Sequence, residues 1–166
     1  MNLYLVRHAE AQMLGGEVRR DADRPLTVRG EHDAILMGRL LHTLEPGMRR
    51  IASSPFLRSC RTAELLSAQF ARPPVVDPWR VLEPGISLCD VHAQVSLHAD
   101  EPLAIVAHQP DLTEYLSWLV ADAVAEIAFP PGAAACLTLG AQTAPGGARL
   151  HWIVPPVVVA QLHPEW

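Results

Sequence analysis

Cysteine is scarce in this sequence. The three cysteines, Cys60, Cys89 and Cys136, are odd in number and share no C-x-x-C spacing, which leaves no basis for a disulfide framework or a zinc site. They read as semi-buried thiols. Long hydrophobic runs are missing as well. No segment approaches the ~20 apolar residues of a membrane span, and the N-terminal run Leu3–Val6 is shorter than a signal-peptide core of about 7–15 residues. A soluble, cytoplasmic protein with no membrane partner is the expectation. Positive charge is in deficit. Thirteen Lys and Arg against 18 Asp and Glu leave a formal net charge of −5, which argues against a nucleic-acid partner held by phosphate neutralisation. An anion site must then be a local cluster of cations on an acidic protein. Internal repeats and low-complexity linkers are absent too, so a single domain over residues 1–166 is expected.

The residues that are present describe a folded chain with a real core: 49% hydrophobic and 19% charged, far from the composition of disorder. Fifteen prolines, against an average usage of about 5%, imply stiff connections. Leu3–Val6 reads as a strand buried on both faces. Pro25 to Leu44 reads as a turn and a helix, with Thr27 as N-cap and Ala34, Met37, Leu40, Leu41 and Leu44 as its apolar stripe. Arg50–Ser53 is a brief strand. A helix then starts at Ser54 with Pro55 in its first position. Val75–Asp77 is a third strand, residues 86–99 are helical, and Leu103–Ala107 is another buried strand. Asp111 to Val120 is a helix opened by the capping-box-like Asp111-x-x-Glu114. Cys136–Leu139 and Leu150–Val154 are late strands flanking a turn at Pro145-Gly146-Gly147.

Strands alternating with helices predict an α/β fold, a three-layer α/β/α sandwich. Its sheet is mostly parallel, with an antiparallel edge strand from the last hairpin. Ligands of such sheets sit outside the carboxyl ends of the strands. The residues just past each buried strand are therefore informative. After Val6 come Arg7 and His8; after Ala52 come Ser53, Ser54 and, one helical turn on, Arg58; after Ala107 comes His108. Three strand ends deliver two histidines and two arginines. Guanidinium forks match phosphate oxygens and stay charged, neutral imidazole is a competent nucleophile toward phosphorus, and helix N-termini add N–H donors. The competing reading has the arginines in salt bridges and the histidines as satisfied core residues.

The segments LVRHAEA (5–11), RPLTVRG (24–30), SSPFLRSCRTAE (53–64) and VAHQP (106–110), in this order over residues 2–120, resemble the histidine phosphatase superfamily, which has the phosphoglycerate-mutase-like fold. Within it the chain is most similar to the SixA-type phosphohistidine phosphatase branch. The resemblance implies that His8 is phosphorylated as a covalent intermediate. It also implies that Arg7 and Arg58 bind the transferred phosphoryl group, that His108 stabilises its charge, and that Arg24 contacts phosphate or substrate. No cofactor or metal is implied. Two features depart from the pattern. Ala9 stands where many relatives have glycine. The glutamate that longer relatives carry as proton donor, on an inserted segment, has no counterpart here. Glu83, in V-L-E-P-G, is the best positional candidate, while Glu10 reads as a solvated or Arg-paired residue.

The missing donor has a chemical consequence. An alkyl phosphate expels an alkoxide that must be protonated, whereas phosphohistidine expels imidazole, whose protonation occurs near neutral pH. The expected function is removal of phosphate from a phosphohistidine-bearing protein, such as a histidine phosphotransfer domain. A phosphatase acting on a small phosphorylated metabolite is the second reading, and a non-catalytic phosphoprotein-binding module the third. Arg58, on a helix, is expected to act in the transition state. Arg24 precedes Pro25 on a loop that does not lock its side chain, so it is expected to act mainly in substrate binding.

Overall fold

The computed structural model describes residues 1–16, 18–85, 87–121, 126–140 and 145–166. Six strands form one sheet: β1 (Asn2–Arg7), β2 (Arg50–Ser53), β3 (Val75–Pro78), β4 (Leu103–Ala107), β5 (Ala134–Thr138) and β6 (Arg149–Val154). The helices are α1 (Val28–Leu44), α2 (Leu57–Ser67), α3 (Leu88–Ser96), α4 (Asp111–Ala121) and α5 (Pro156–Leu162). The strand order is β3-β2-β4-β1-β5-β6. The pairs β2–β3, β2–β4 and β1–β4 are parallel, while β1–β5 and β5–β6 are antiparallel.

Both faces of the sheet are covered, and the period of two along each strand divides the core. Leu3 and Leu5 of β1 and Leu103, Ile105 and Ala107 of β4 join α3 and α4 through Val91, Val95, Leu112 and Leu116. Tyr4, Val6, Ala104 and Val106 face the other way and pack with Leu36, Met37, Leu41, Ala63, Leu66 and Val159 of α1, α2 and α5. Strands buried on both faces need continuous apolar runs, which is why Leu3–Val6 and Leu103–Ala107 are legible without alternation.

The chain leaves β1 and β2 toward one edge through α1 and α2. It leaves β3 and β4 toward the other through α3 and α4, on the opposite face. Right-handed crossovers require that change of face when direction reverses. The reversal falls between the neighbours β1 and β4, and a crevice opens there at their carboxyl ends.

Several sequence expectations are corrected. Thr27 does cap α1, its Oγ1 accepting from the Gly30 N–H at 2.9 Å, but Leu44 at the helix end is 48% exposed instead of completing the stripe. Helix α2 begins at Leu57, not Ser54. Ser54 continues the β2 ladder by donating its N–H to Val106 O, and the Phe56 carbonyl accepts the Ser59 and Cys60 N–H groups. The Asp111-x-x-Glu114 capping box does not form, because Asp111 is already helical and its carboxylate accepts from the Gly85 N–H. Gln109 Oε1 takes the Thr113 N–H in its place. Helix α5 is not expected from the sequence pattern, and α3 is shorter than 86–99, residue 86 lying outside the described residues. The turn at Pro145-Gly146-Gly147 docks on α4 through Gly146 N–H to Trp118 O, 2.9 Å.

Candidate active site

Each of the three central strands ends in a residue of the site. His8 extends β1 by donating its N–H to Ala107 O at 3.0 Å, and Ser54 extends β2 by donating to Val106 O at 2.9 Å. His108 comes directly after β4. Arg58, the second residue of α2, is 4% exposed and reaches back over these strand ends. With Arg7, Glu10, Ala11, Asp21, Arg24, Pro84, Gln109 and Pro131, the groups His8, Arg58 and His108 line a cleft of about 390 Å³. Four of the predicted site residues are thus joined by Arg24 in one cavity.

Hydrogen bonds assign the protons on both imidazoles. His8 Nδ1 lies 2.8 Å from Ala9 O, an acceptor, and Arg58 Nε donates to His8 Nε2 at 3.1 Å. The proton therefore sits on Nδ1, and the Nε2 lone pair accepts from Arg58 at the cleft wall. His108 has the opposite tautomer. Arg58 Nη2 donates to its Nδ1 at 3.1 Å, and its Nε2–H donates to Ser54 Oγ at 2.8 Å. The rings stand 5.1 Å apart. Burial pushes the His8 pKa down to about 4, assisted by Arg58, Arg7 and Arg24 and opposed by the Ala9 hydrogen bond. Burial pushes His108 down to about 3, with His8 and Arg58 adding to the effect. Both imidazoles are neutral at neutral pH.

The cations are held in place. Arg7 Nη1 donates to Phe129 O at 2.9 Å, while its buried Nε has no partner among the described residues. Arg24 is not the loosely held loop cation that the sequence suggests. Its Nε donates to Gln12 O, its Nη1 pairs with Asp21 Oδ1 at 3.0 Å, and its Nη2 lies 3.5 Å from Ala11 O. Pro25 restrains only the backbone; neighbouring loop carbonyls restrain the side chain. Asp21 pairs with Arg58 as well, Nη2 to Oδ2 at 2.9 Å. Burial would raise the Asp21 pKa, but the hydrogen bonds and charges of Arg24 and Arg58 outweigh it and hold the carboxyl below its ordinary value.

Glu83 does not join this group. It comes after the 3-10 turn Arg80–Leu82 and lines a separate apolar recess with Val81, Leu82, Leu88 and Val91, while its neighbour Pro84 forms part of the cleft wall. Its neighbour Leu82 is buried and lines the same recess. Glu10 does line the cleft, exposed, with its carboxylate accepting from Thr27 Oγ1 at 2.7 Å. Arg61, one turn further along α2, forms surface pairs with Glu31 and Glu64. Two functional neighbours escape the motifs. Asp21 carries a local signal, the i,i+3 spacing to Arg24. Ser54 has the sequence of a helix cap, yet its hydroxyl orients His108.

An α/β sandwich that gathers two neutral imidazoles and three guanidiniums where the sheet's connections reverse defines a phosphatase. Known proteins agree: the family model of the histidine phosphatase superfamily (branch 1) matches residues 3–79. An uncharacterised protein of Picosynechococcus sp. is 37% identical over 119 residues, 69% of this chain and 70% of that protein. The chain belongs to the histidine phosphatase superfamily. A Citrobacter koseri protein assigned as phosphoglycerate mutase GpmB is 38% identical over 68 residues, but these span only 31% of its length and 40% of this chain. Among solved structures, the protein histidine phosphatase SixA complexed with tungstate superposes with a TM-score of 0.84 at 23% identity, over 96% of this chain and 99% of that one. The alpha-ribazole phosphatase of Shigella flexneri superposes at 0.73 with 17% identity, over 94% and 97%.

Proposed function

We propose that the protein is a phosphohistidine phosphatase working through a covalent phosphohistidine on His8. The observation that carries the reading is the tautomer of His8: with its proton fixed on Nδ1 by Ala9 O, Nε2 is unprotonated, and its lone pair, which accepts from Arg58 Nε, is freed to attack when the phosphoryl group draws that N–H to its own oxygens. In the first step Nε2 attacks phosphorus and the P–N bond of the substrate breaks. The bonding pair leaves with an imidazole already protonated on its other nitrogen. In the second step water attacks the phosphorus on His8, releasing phosphate and returning Nε2 to its neutral state. Arg7, Arg24 and Arg58 carry the phosphoryl charge, and His108 donates to it after taking a proton from solvent as the dianion binds.

The choice of N–P over O–P substrates rests on proton donors. Of the carboxylates on the cleft wall, Asp21 is kept ionised by its two guanidiniums, and Glu10 is an acceptor toward Thr27. Glu83, the donor expected by position, lies in the adjoining recess. A leaving group that departs as neutral imidazole needs none of them. The fold-level likeness to a SixA protein histidine phosphatase supports the same choice. The likeness to alpha-ribazole phosphatase supports the second reading, a phosphatase of a small phosphorylated metabolite.

Comparing turnover of a phosphohistidine peptide, a phosphoserine peptide and sugar phosphates tests the reading. The phosphohistidine peptide should give the highest kcat/KM, and rapid quench should trap an acid-labile, base-stable phosphoenzyme that His8→Ala cannot form. Preference for a sugar phosphate would establish the metabolite reading, and wild-type turnover by His8→Ala would sink the mechanism.

A further inference from the structure

Arg58 carries five N–H donors in a planar fork, and most are already engaged. Its Nε reaches His8 Nε2 and its Nη2 reaches His108 Nδ1, both at 3.1 Å, so that this edge faces the two imidazoles. The other edge is gripped by one residue, Asp21, through two different atoms. The backbone carbonyl of Asp21 accepts from Nη1 at 2.7 Å and Oδ2 accepts from Nη2 at 2.9 Å. The second carboxylate oxygen takes Arg24 Nη1 at 3.0 Å. On the guanidinium face, the Phe56 ring centroid lies 5.1 Å from Cζ.

We propose that Asp21 is a positioning residue. It holds the outer edge of Arg58 so that the inner edge is aimed at the phosphorus bound to His8, and it couples that aim to Arg24. An exposed ion pair would contribute little, but here the guanidinium side chain is only 5% exposed, and both edges of its fork are committed. Without the Asp21 carboxylate, the backbone carbonyl at that position holds Nη1 alone, the Nη2 side of the outer edge is released, and the imidazoles on the inner edge are the groups that engage the phosphoryl group during reaction. A carboxylate beside a phosphate site also repels the substrate. Removing it should therefore leave oxyanion binding undiminished while the aim of Arg58 is lost. A structural defect would weaken both together.

The inference rests on the proposed role of Arg58 but not on the identity of the leaving group, so p-nitrophenyl phosphate serves as the reporter on the full chain. Asp21→Ala is expected to lower kcat about ten- to a hundredfold, the scale of a misplacement near 1 Å, with inhibition by tungstate as strong as in the wild type. Asp21→Asn keeps one side-chain acceptor and should fall between the two. In an Arg58→Ala background, Asp21→Ala should lower kcat far less than in the wild type, because only Arg24, which the Gln12 and Ala11 carbonyls also hold, is left for it to position. Wild-type kcat in Asp21→Ala, an equal loss in both backgrounds, or tungstate affinity falling in step with kcat overturns the inference alone. Wild-type kcat in Arg58→Ala overturns the role of Arg58 and the inference with it.

Discussion

Neutral imidazole at the end of a buried strand is the state this site is built to keep. His8 sits among Arg7, Arg24 and Arg58, and burial together with those charges lowers its pKa to about 4. The acid limb of kcat/KM should therefore lie well below pH 6 and not near the ordinary imidazole value of about 6.5; activity lost on acidification through about pH 6.5 would contradict this. Arg58 is fixed on regular structure, and the proposed mechanism aims it at developing charge. Its replacement by alanine should lower kcat by about 10²–10³. Arg24 is restrained at three points, so Arg24→Ala is expected to lower kcat as well as raise KM. Steady-state kinetics on the two variants separates these effects, and a pure KM effect of Arg24 would show that its restraints have no catalytic consequence.

Among the elements, the contact between α1 and the turn after β1 sets how His8 is held. A Cβ on Gly30 would lie 2.1 Å from the Glu10 carbonyl oxygen. The Thr27 N–H donates to that same oxygen at 3.0 Å. The helix start therefore rests directly on the backbone two residues past His8, and only glycine permits the approach. Gly30→Ala should destabilise the fold by about 1–3 kcal/mol, as overpacking does, and should also displace the segment His8–Glu10. Thermal melts and kinetics on the variant should show both losses, whereas wild-type activity in a destabilised protein would mean the turn gives way without moving His8. In the middle of α2, Thr62 also ties this segment down, its Oγ1 accepting the Ala9 N–H at 3.1 Å and donating to Arg58 O at 2.7 Å.

For the whole molecule, charge and titration derive from composition. The chain has no lysine; all 13 cationic side chains are arginine, which stay charged even when buried. The phosphate site therefore does not lose its cations with rising pH, and the pH response near neutrality falls to the histidines. His8 and His108 have folded values of about 4 and about 3, against about 6.5 in the unfolded chain. Below about pH 6.5 the unfolded state binds protons that the folded state refuses, so stability is full above that pH and declines as pH falls toward 4. Tm should drop by several degrees between pH 7 and pH 5, at about 2–4 °C per kcal/mol for a chain of this size. A His8→Gln/His108→Gln variant should show a flatter profile; the same slope in both would place the titrating groups elsewhere. Since the three guanidiniums can carry the phosphoryl charge, exhaustive EDTA treatment should leave phosphatase activity unchanged. A loss restored by zinc or magnesium would contradict this.

Sequence alone determined the features that depend on near neighbours. Leu3–Val6 and Leu103–Ala107 are continuous apolar runs, so they are strands buried on both faces, and Thr27 caps α1 because a hydroxyl there meets an N–H three residues on. Placing His8, Arg58 and His108 beside one another needed only the rule that ligands gather at the carboxyl ends of parallel strands, together with the order of the motifs. The partners of those residues were beyond any local pattern. Ser54 looks like a helix cap because Pro55 comes next, yet its hydroxyl belongs to His108, which stands 54 residues away in sequence. Glu83 looks well placed by its distance from β3, but it lines the neighbouring recess beside the buried Leu82. Asp21 pairs with Arg58 across 37 residues, a contact that exists only because β2 lies next to β4 and β4 next to β1. Apolar periodicity and capping act within a few residues and are written in the chain. The order of strands across a sheet is settled by how all the layers pack at once, and that order decided which side chain steadies which.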